Sequence, residues 1–312
     1  MKKLRIVFMG TPDFAEVVLR SLLSGPDEVA AVVCQPDRPR GRGKKLSPPP
    51  VKVLAEEHDI PVLQPERVKT DVFLRQMEAL RPDVLVVAAY GKILPQGLLD
   101  IPPLGAINVH GSLLPKFRGA APIQWALIKG EQETGVTIMQ MDAGMDTGAI
   151  LLPASLPITD EDTAGTLFYK VADLGGKALL EALELLKDDN LPPIIQDGSL
   201  ATEAPMLSKE DGHLDWSRKG AHLHCLIRGL DPWPSAYTFL DSKRYRIFSP
   251  KIVAGEVSEE PGTIVRADKQ GLLIATGENY LLIGEIQPEG KKRMDISSLL
   301  CGTTLKSGQR FS

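Results

Sequence analysis

Asn108, His110 and Asp146 have the residue types and spacing for proton-transfer chemistry. Asn108 and His110 close the run AINVHG (106–111), which reads as a short strand ending in polar residues. Residues two apart on a strand project to one side, and an open α/β sheet binds ligands outside the carboxyl ends of its strands. Asp146 lies in AGMDTG (143–148), a glycine-bracketed loop between two apolar runs, from which a carboxylate can reach across to the histidine. An unperturbed imidazole titrates at about 6.5, so it gives or takes a proton near neutral pH. Spacing alone leaves a second interpretation open, with His110 a hydrogen-bonded core histidine and Asp146 a turn residue.

The other chemical feature is electrostatic. PDRPRGRGKK (36–45) carries Arg38, Arg40, Arg42, Lys44 and Lys45 against Asp37, a local charge of +4. A basic stretch rich in glycine and proline suits a phosphate backbone to which it must adapt, and it equally suits a solvated surface loop. Residues 1–207 hold 21 basic and 27 acidic side chains, net −6, whereas 208–312 hold 15 and 13, net +2. The C-terminal part is thus the half better matched to an anionic partner.

Several classes are disfavoured. The turn after the first apolar run, GTPDFA, lacks the GxGxxG spacing of a dinucleotide site, and no GxxxxGK[ST] stretch follows any strand. The three cysteines, Cys34, Cys225 and Cys301, are odd in number and far apart, which argues against a disulfide framework or a redox pair. His58, His110, His213, His222 and His224 form no convincing ligand set, so no metal is expected. Without a signal peptide or an apolar stretch of spanning length, a cytoplasmic, membrane-free protein is expected. Nothing demands an interface, and a monomer is expected.

These residues need a scaffold, and the hydrophobic pattern supplies one. Apolar β-branched runs at 4–10, 28–35, 83–91 and 106–111 alternate with helical segments at 51–58, 69–80 and 121–129, the rhythm of a parallel sheet. Two further strands, 134–142 and 148–158, flank the Asp146 loop, and an amphipathic helix runs over about 164–187. The turn-rich segment DDNLPPIIQDGSLATEAP (188–205) reads as a linker or surface strap. Short alternating runs beyond it, separated by glycine and charged turns, indicate a small β-barrel or sandwich. The expected architecture is α/β, with a Rossmann-like doubly wound, mainly parallel sheet over 1–188, a linker over 189–207, and a C-terminal OB-like small β-barrel over 208–312. Trp233, in PWP (232–234), is expected to pack at a turn.

The string NVHGSLLPKFRGAAPIQ (108–124), followed by GMDTG (144–148), resembles the 10-formyltetrahydrofolate-dependent formyltransferases. The resemblance extends through GTPDFA, the basic segment, AAYGKILP and IRGLDPWPSAY, across essentially the whole chain. It implies that Asn108, His110 and Asp146 are catalytic and that Ser112, Leu113, Leu114 and Pro115 form part of a folate site. In such chemistry an amine attacks a formyl carbon, Asn108 donates to the resulting oxyanion, and His110 exchanges a proton. Asp146 would then fix the imidazole tautomer, stabilise its cation, or order a proton-carrying water. The basic insertion and C-terminal domain are similar to those members that act on methionyl initiator tRNA. By that likeness, Arg38, Arg40, Arg42, Lys44 and Lys45 contact tRNA, with Arg42 foremost, and Arg244, Arg246, Lys291, Lys292 and Arg293 hold its backbone. An amino-sugar nucleotide or water is the alternative acceptor, and a non-catalytic RNA-binding role the alternative class.

Overall fold

A computed structural model describes residues 3–40, 45–188 and 190–312, apart from the side chains of Arg40 and Lys45. The chain divides into two compact units, the first comprising Met1–Pro122, Glu133–Pro157 and Phe168–Ala204, the second Ile123–Gln132, Ile158–Leu167 and Pro205–Ser312.

The first unit begins with β1 (Arg5–Gly10), α1 (Asp13–Ser24) and β2 (Glu28–Val33), followed by a short ribbon of β3 (Arg38–Arg40) and β4 (Lys45–Ser47). Next come α2 (Pro50–Glu57), β5 (Val62–Leu63), α3 (Asp71–Leu80), β6 (Val84–Ala88), α4 (Gln96–Leu99), β7 (Ala106–His110) and β8 (Arg118–Gly119). After α5 (Pro122–Ile128), which counts mostly with the second unit, come β9 (Glu133–Gln140), β10 (Ile150–Pro157), α6 (Ala164–Lys187) and β11 (Glu203–Ala204).

Seven strands form one sheet in the order β10-β9-β7-β6-β1-β2-β5. The five from β7 to β5 are parallel, and β9 runs antiparallel to both β7 and β10. This is the doubly wound α/β arrangement. Its central strand β6, VLVVA, is buried at every residue, as a parallel strand covered on both faces must be. Helices form where apolar residues recur on one face. In α1, Phe14, Ala15, Val18, Leu19 and Leu22 are buried, while Asp13 and Glu16 favour its amino end. Thr70 caps α3 by accepting the Phe73 N–H at 3.3 Å.

Two consecutive glycines seat α6. A Cβ on Gly175 would lie 2.9 Å from Val109 Cγ1 of β7, and one on Gly176 would lie 2.2 Å from Ser21 Oγ of α1. The helix approaches the strand that carries Asn108 and His110 as closely as a backbone without side chains permits. The helical cost of glycine, about 1 kcal/mol each, is offset by this packing.

In the second unit, α7 (Gly220–Gly229) precedes β12 (Tyr237–Leu240), β13 (Lys243–Val253), β14 (Ile264–Asp268), β15 (Gly271–Ala275), β16 (Tyr280–Pro288), β17 (Met294–Asp295) and α8 (Ile296–Leu300). These strands form an antiparallel sheet in the order β12-β13-β16-β15-β14, with β17 also on β16. The C-terminal residues link its two edges. Ile264 N–H donates to Gln309 O at 2.8 Å and Phe311 N–H to Gly262 O at 2.9 Å, while Ser312 and Phe239 exchange two bonds of 2.9 Å. Phe311, buried and stacked on Trp216, anchors the tail, so no long strand edge is left open.

Burial and the Trp216 N–H donor to Thr238 account for that core. Trp233 behaves otherwise. It stands on the turn between α7 and β12, but 53% of its surface is exposed, so it is not the packing residue expected from the sequence.

Replacing Gly175 with leucine is expected to lower unfolding stability by about 1–3 kcal/mol through overpacking against Val109. Gly198, with nothing within 4 Å of its Cβ position, is the control, and Gly198→Ala should leave the urea midpoint near that of the parent.

Candidate active site

The site is built at the carboxyl end of β7. Register places Asn108 between Val87 of β6 and Met139 of β9, and His110 opposite Thr137. His110 is 6% exposed and Asn108 half-buried. Among the described residues the Asn108 carboxamide has no hydrogen-bond partner, so its N–H donors are available to a ligand.

Beyond β7 the chain makes a tight turn held by its own side chains. The Ser112 hydroxyl donates to Lys116 O at 2.6 Å. Thr137 Oγ1 of β9 donates to Ser112 O at 2.7 Å and accepts the Leu114 N–H at 3.0 Å. Ser112 and Leu114 are buried, whereas Leu113 and Pro115 are half-exposed. The turn ends at Phe117, whose φ of 59° aims its carbonyl back at His110. His110 Nε2 stands 3.0 Å from that oxygen. A carbonyl only accepts, so Nε2 carries a hydrogen, and Nδ1 is the nitrogen left to gain or lose one.

Nδ1 faces Asp146. The loop 141–149 leaves β9 where Gln140 pairs with Ile107, at the opposite end of β7 from His110, and folds back to bring Asp146 Oδ1 to 3.6 Å from Nδ1. That distance exceeds a hydrogen bond but lies within ion-pair range. Its other oxygen, Oδ2, accepts the Gly119 N–H at 2.9 Å. Gly119 has φ 120°, and a Cβ there would meet Ala204 O at 2.8 Å, so only glycine brings this donor into place. Asp142 closes the loop by accepting from Gly144 N and from Thr147 Oγ1, at 2.9 and 2.8 Å.

Residues 190–204, which the sequence offers only as a linker or strap, carry further parts of the site. Ile194 pairs with Ile150, Thr202 Oγ1 accepts the Phe117 N–H at 2.9 Å, and β11 pairs with β8. Gln196 Nε2 donates to Asp146 O and Gly148 O at 2.9 and 2.7 Å. Backbone groups of Phe117 and Gly119 have no sequence signature, and Gln196 lies in a stretch without periodicity.

The basic segment follows β2, on the same carboxyl edge of the parallel sheet as His110. Its ends pair as an antiparallel ribbon, Arg38 opposite Ser47 and Arg40 opposite Lys45. Arg38 is exposed, and Arg42 and Lys44 lie outside the described residues. Asp37 at the ribbon's root accepts from Gln64 and from Lys52 Nζ, the latter at 3.0 Å to both oxygens. These two partners hold its carboxyl below the ordinary range, so the one acid of the segment is neutralised by Lys52.

In the second unit, Arg293 is already engaged. It pairs with Asp231 at 3.0 Å and Glu285 at 2.6 Å and lies 4.0 Å over the Phe248 ring. Lys291 and Lys292 are exposed, and Arg244 and Arg246 are half-buried. Burial pushes the His224 imidazole below its usual range, and among the described residues no group of three acidic, histidine or cysteine side chains is placed to hold a metal. Burial likewise pushes the Cys34 thiol up to about 11, which keeps it protonated at neutral pH.

An amide donor, a tautomerically fixed imidazole and a carboxylate in ion-pair range make a constellation for acyl transfer through an oxyanion. Residues 3–183 match the family model described as formyl transferase, and 206–304 match the formyl transferase C-terminal domain. The methionyl-tRNA formyltransferase of Desulfotalea psychrophila is 60% identical over 304 residues, covering 97% of this chain and 94% of that protein. Its counterpart from Geobacter sulfurreducens is 51% identical over 311 residues, covering 100% and 98%. Among solved structures, the sugar 3N-formyl transferase WlaRD, crystallised in the presence of dTDP and 5-N-formyl-THF, superposes with a TM-score of 0.67 at 15% identity, over 94% of this chain and 100% of that one. Two family models and relatives of this identity along nearly the whole length lead to one conclusion, that the chain belongs to the formyltransferase family.

Proposed function

We propose that the protein transfers the formyl group of 10-formyltetrahydrofolate to the α-amino group of methionyl initiator tRNA, yielding N-formylmethionyl-tRNA for translation initiation. The observation that carries the reading is the identity of 60% to a methionyl-tRNA formyltransferase along nearly the full chain. The geometry around His110 supports the same reading. An α-amino group titrates near about 8, so much of it is neutral and nucleophilic at physiological pH. Catalysis then rests on positioning and on stabilising the tetrahedral oxyanion.

In this reading Asn108 donates its unused amide N–H to the oxyanion. The amine's proton passes to His110 Nδ1, because Nε2 is occupied by the Phe117 carbonyl. Asp146, 3.6 Å away, balances the imidazolium until the proton leaves with the folate nitrogen. Leu113 and Pro115, half-exposed beside this centre, supply apolar surface to the folate. Ser112 and Leu114, buried and bonded within the turn, serve the folate by holding its shape. No step needs a metal.

The basic segment with Arg38, Arg40, Arg42, Lys44 and Lys45 contacts the tRNA, and the position of the ribbon Arg38–Arg40 and Lys45–Ser47 after β2, on the carboxyl edge of the sheet, supports this role. Residues 208–312 hold the tRNA backbone through Arg244, Arg246, Lys291 and Lys292. Arg293, committed to Asp231 and Glu285, is left out of that set. The protein acts as a cytoplasmic monomer. Among the described residues no helix is long and apolar enough to cross a membrane.

Three outcomes test this reading. Asn108→Ala is expected to lower turnover roughly 100- to 1000-fold with an unchanged circular dichroism spectrum, and a near-normal single-turnover rate would remove Asn108 from the mechanism. Affinity for tRNA should fall with salt at a log–log slope of about 0.7 to 0.9 per phosphate contact. Arg42→Ala or Lys44→Ala should flatten that slope and leave folate binding unchanged. Lys52→Met, which leaves the Asp37 charge without its ion-pair partner although Gln64 still bonds it, is expected to raise the KM for tRNA roughly three- to tenfold, the equivalent of about 1 kcal/mol, without altering the KM for the folate.

A further inference from the structure

The Asp146 loop is an unusual way to place a catalytic carboxylate. It starts beside Ile107, folds back along β7, and holds Asp146 at φ 54° next to an exposed Met145. The Gly119 N–H fixes one carboxylate oxygen but leaves the loop's main chain to be held by something else. That task falls to Gln196. Its amide nitrogen spends both hydrogens on loop carbonyls, those of Asp146 at 2.9 Å and Gly148 at 2.7 Å. Its oxygen accepts both Nε and Nη2 of Arg118, at 3.1 and 2.7 Å. The assignment of the two amide atoms follows from chemistry, since a guanidinium only donates and a carbonyl only accepts. All four hydrogen-bonding positions of the side chain are thereby used.

Arg118 closes the circuit. It directly follows Phe117, whose carbonyl orients His110, and precedes Gly119, whose N–H holds Asp146. One side chain therefore ties the segment that orients the imidazole to the loop that carries the carboxylate. The strap bearing Gln196 is itself latched on either side. Ile194 and Ile150 exchange two bonds of 2.8 Å, and Thr202 bonds the main chain of Phe117 and of Arg118.

We propose that Gln196 and Arg118 are positioning residues for formyl transfer, setting the separation of Asp146 from His110 and making the segment 190–204 part of the catalytic apparatus. The inference rests on the assignment of Asp146 to the reacting centre made above. Misplacing a catalytic group by about 1 Å costs on the order of 100-fold, so release of the loop should appear in turnover and not in substrate binding.

The test is a double-mutant cycle on the full-length protein, with 10-formyltetrahydrofolate and methionyl initiator tRNA as substrates. Gln196→Met keeps the length of the side chain and removes its hydrogen bonds. It is expected to lower kcat by about 10- to 100-fold with both KM values within about twofold of the parent. In an Asp146→Asn background the same substitution should cost nothing further, because a clamp without its carboxylate has nothing to position. A merely structural residue would instead multiply the two losses. Parent-like kcat for Gln196→Met beside a crippled Asp146→Asn overturns the clamp alone, as does a multiplicative loss in the double variant. Parent-like kcat for Asp146→Asn overturns both the clamp and the catalytic assignment beneath it. Should Gln196→Met fail to fold, Arg118→Lys, which keeps the charge and withdraws the two-pronged donor, enters the same cycle with the same expected and overturning results.

Discussion

The hydrogen bond from His110 Nε2 to the Phe117 carbonyl, 3.0 Å long, determines which ring nitrogen can take part in chemistry, and the surrounding structure serves to keep it. A carbonyl oxygen cannot donate, so the proton on Nε2 is fixed and only Nδ1 exchanges. For that oxygen to face the ring, Phe117 must adopt a left-handed backbone, which the Thr202 hydroxyl stabilises by accepting the Phe117 N–H. The turn that delivers Phe117 is in turn closed by Ser112 and Thr137. Tautomer control, assigned from sequence to Asp146 as one of three options, belongs to a main-chain group. In the proposed mechanism Asp146 keeps an electrostatic task, which a separation of 3.6 Å suits.

The sheet explains why the parts meet. In a parallel array every strand delivers its carboxyl end to one edge, so the basic ribbon after β2 and His110 at the end of β7 emerge together although some 70 residues of sequence separate them. The antiparallel β9 breaks this rule, because its carboxyl end lies at the other edge and its loop must fold back to reach the histidine. A loop that returns over the sheet needs restraint that a loop at the proper edge would not, and the strap over 190–204 provides it.

What was legible in the sequence follows from this division. Asn108 and His110 could be read because a two-residue spacing at a strand end carries geometric meaning, and the α/β rhythm because burial on both faces leaves continuous apolar runs such as VLVVA. Asp146 could be read from its glycine-bracketed loop together with the family motif. The ribbon's charge was visible, but not that Lys52, from a later helix, neutralises Asp37 at its root. Gln196, Thr202 and the main-chain groups of Phe117 and Gly119 were not legible, since irregular backbone has no period and a carbonyl's direction depends on φ and ψ. The pairing of Arg293 was illegible for a related reason. A basic triplet, Lys291 to Arg293, gives no hint that Asp231, buried some 60 residues earlier, claims its third member.

Rigidity is distributed accordingly. Asn108 and His110 sit on a strand pressed from behind by α6 at Gly175, so their backbone has little freedom. The two residues to which the proposed mechanism assigns the oxyanion and the proton thus share one packed strand. The carboxylate comes from a returning loop, and its charge stays beside Nδ1 only while Gln196 and the Gly119 N–H hold that loop. A clamped loop suffices for it, whereas a donor aimed at a transient oxyanion requires the strand.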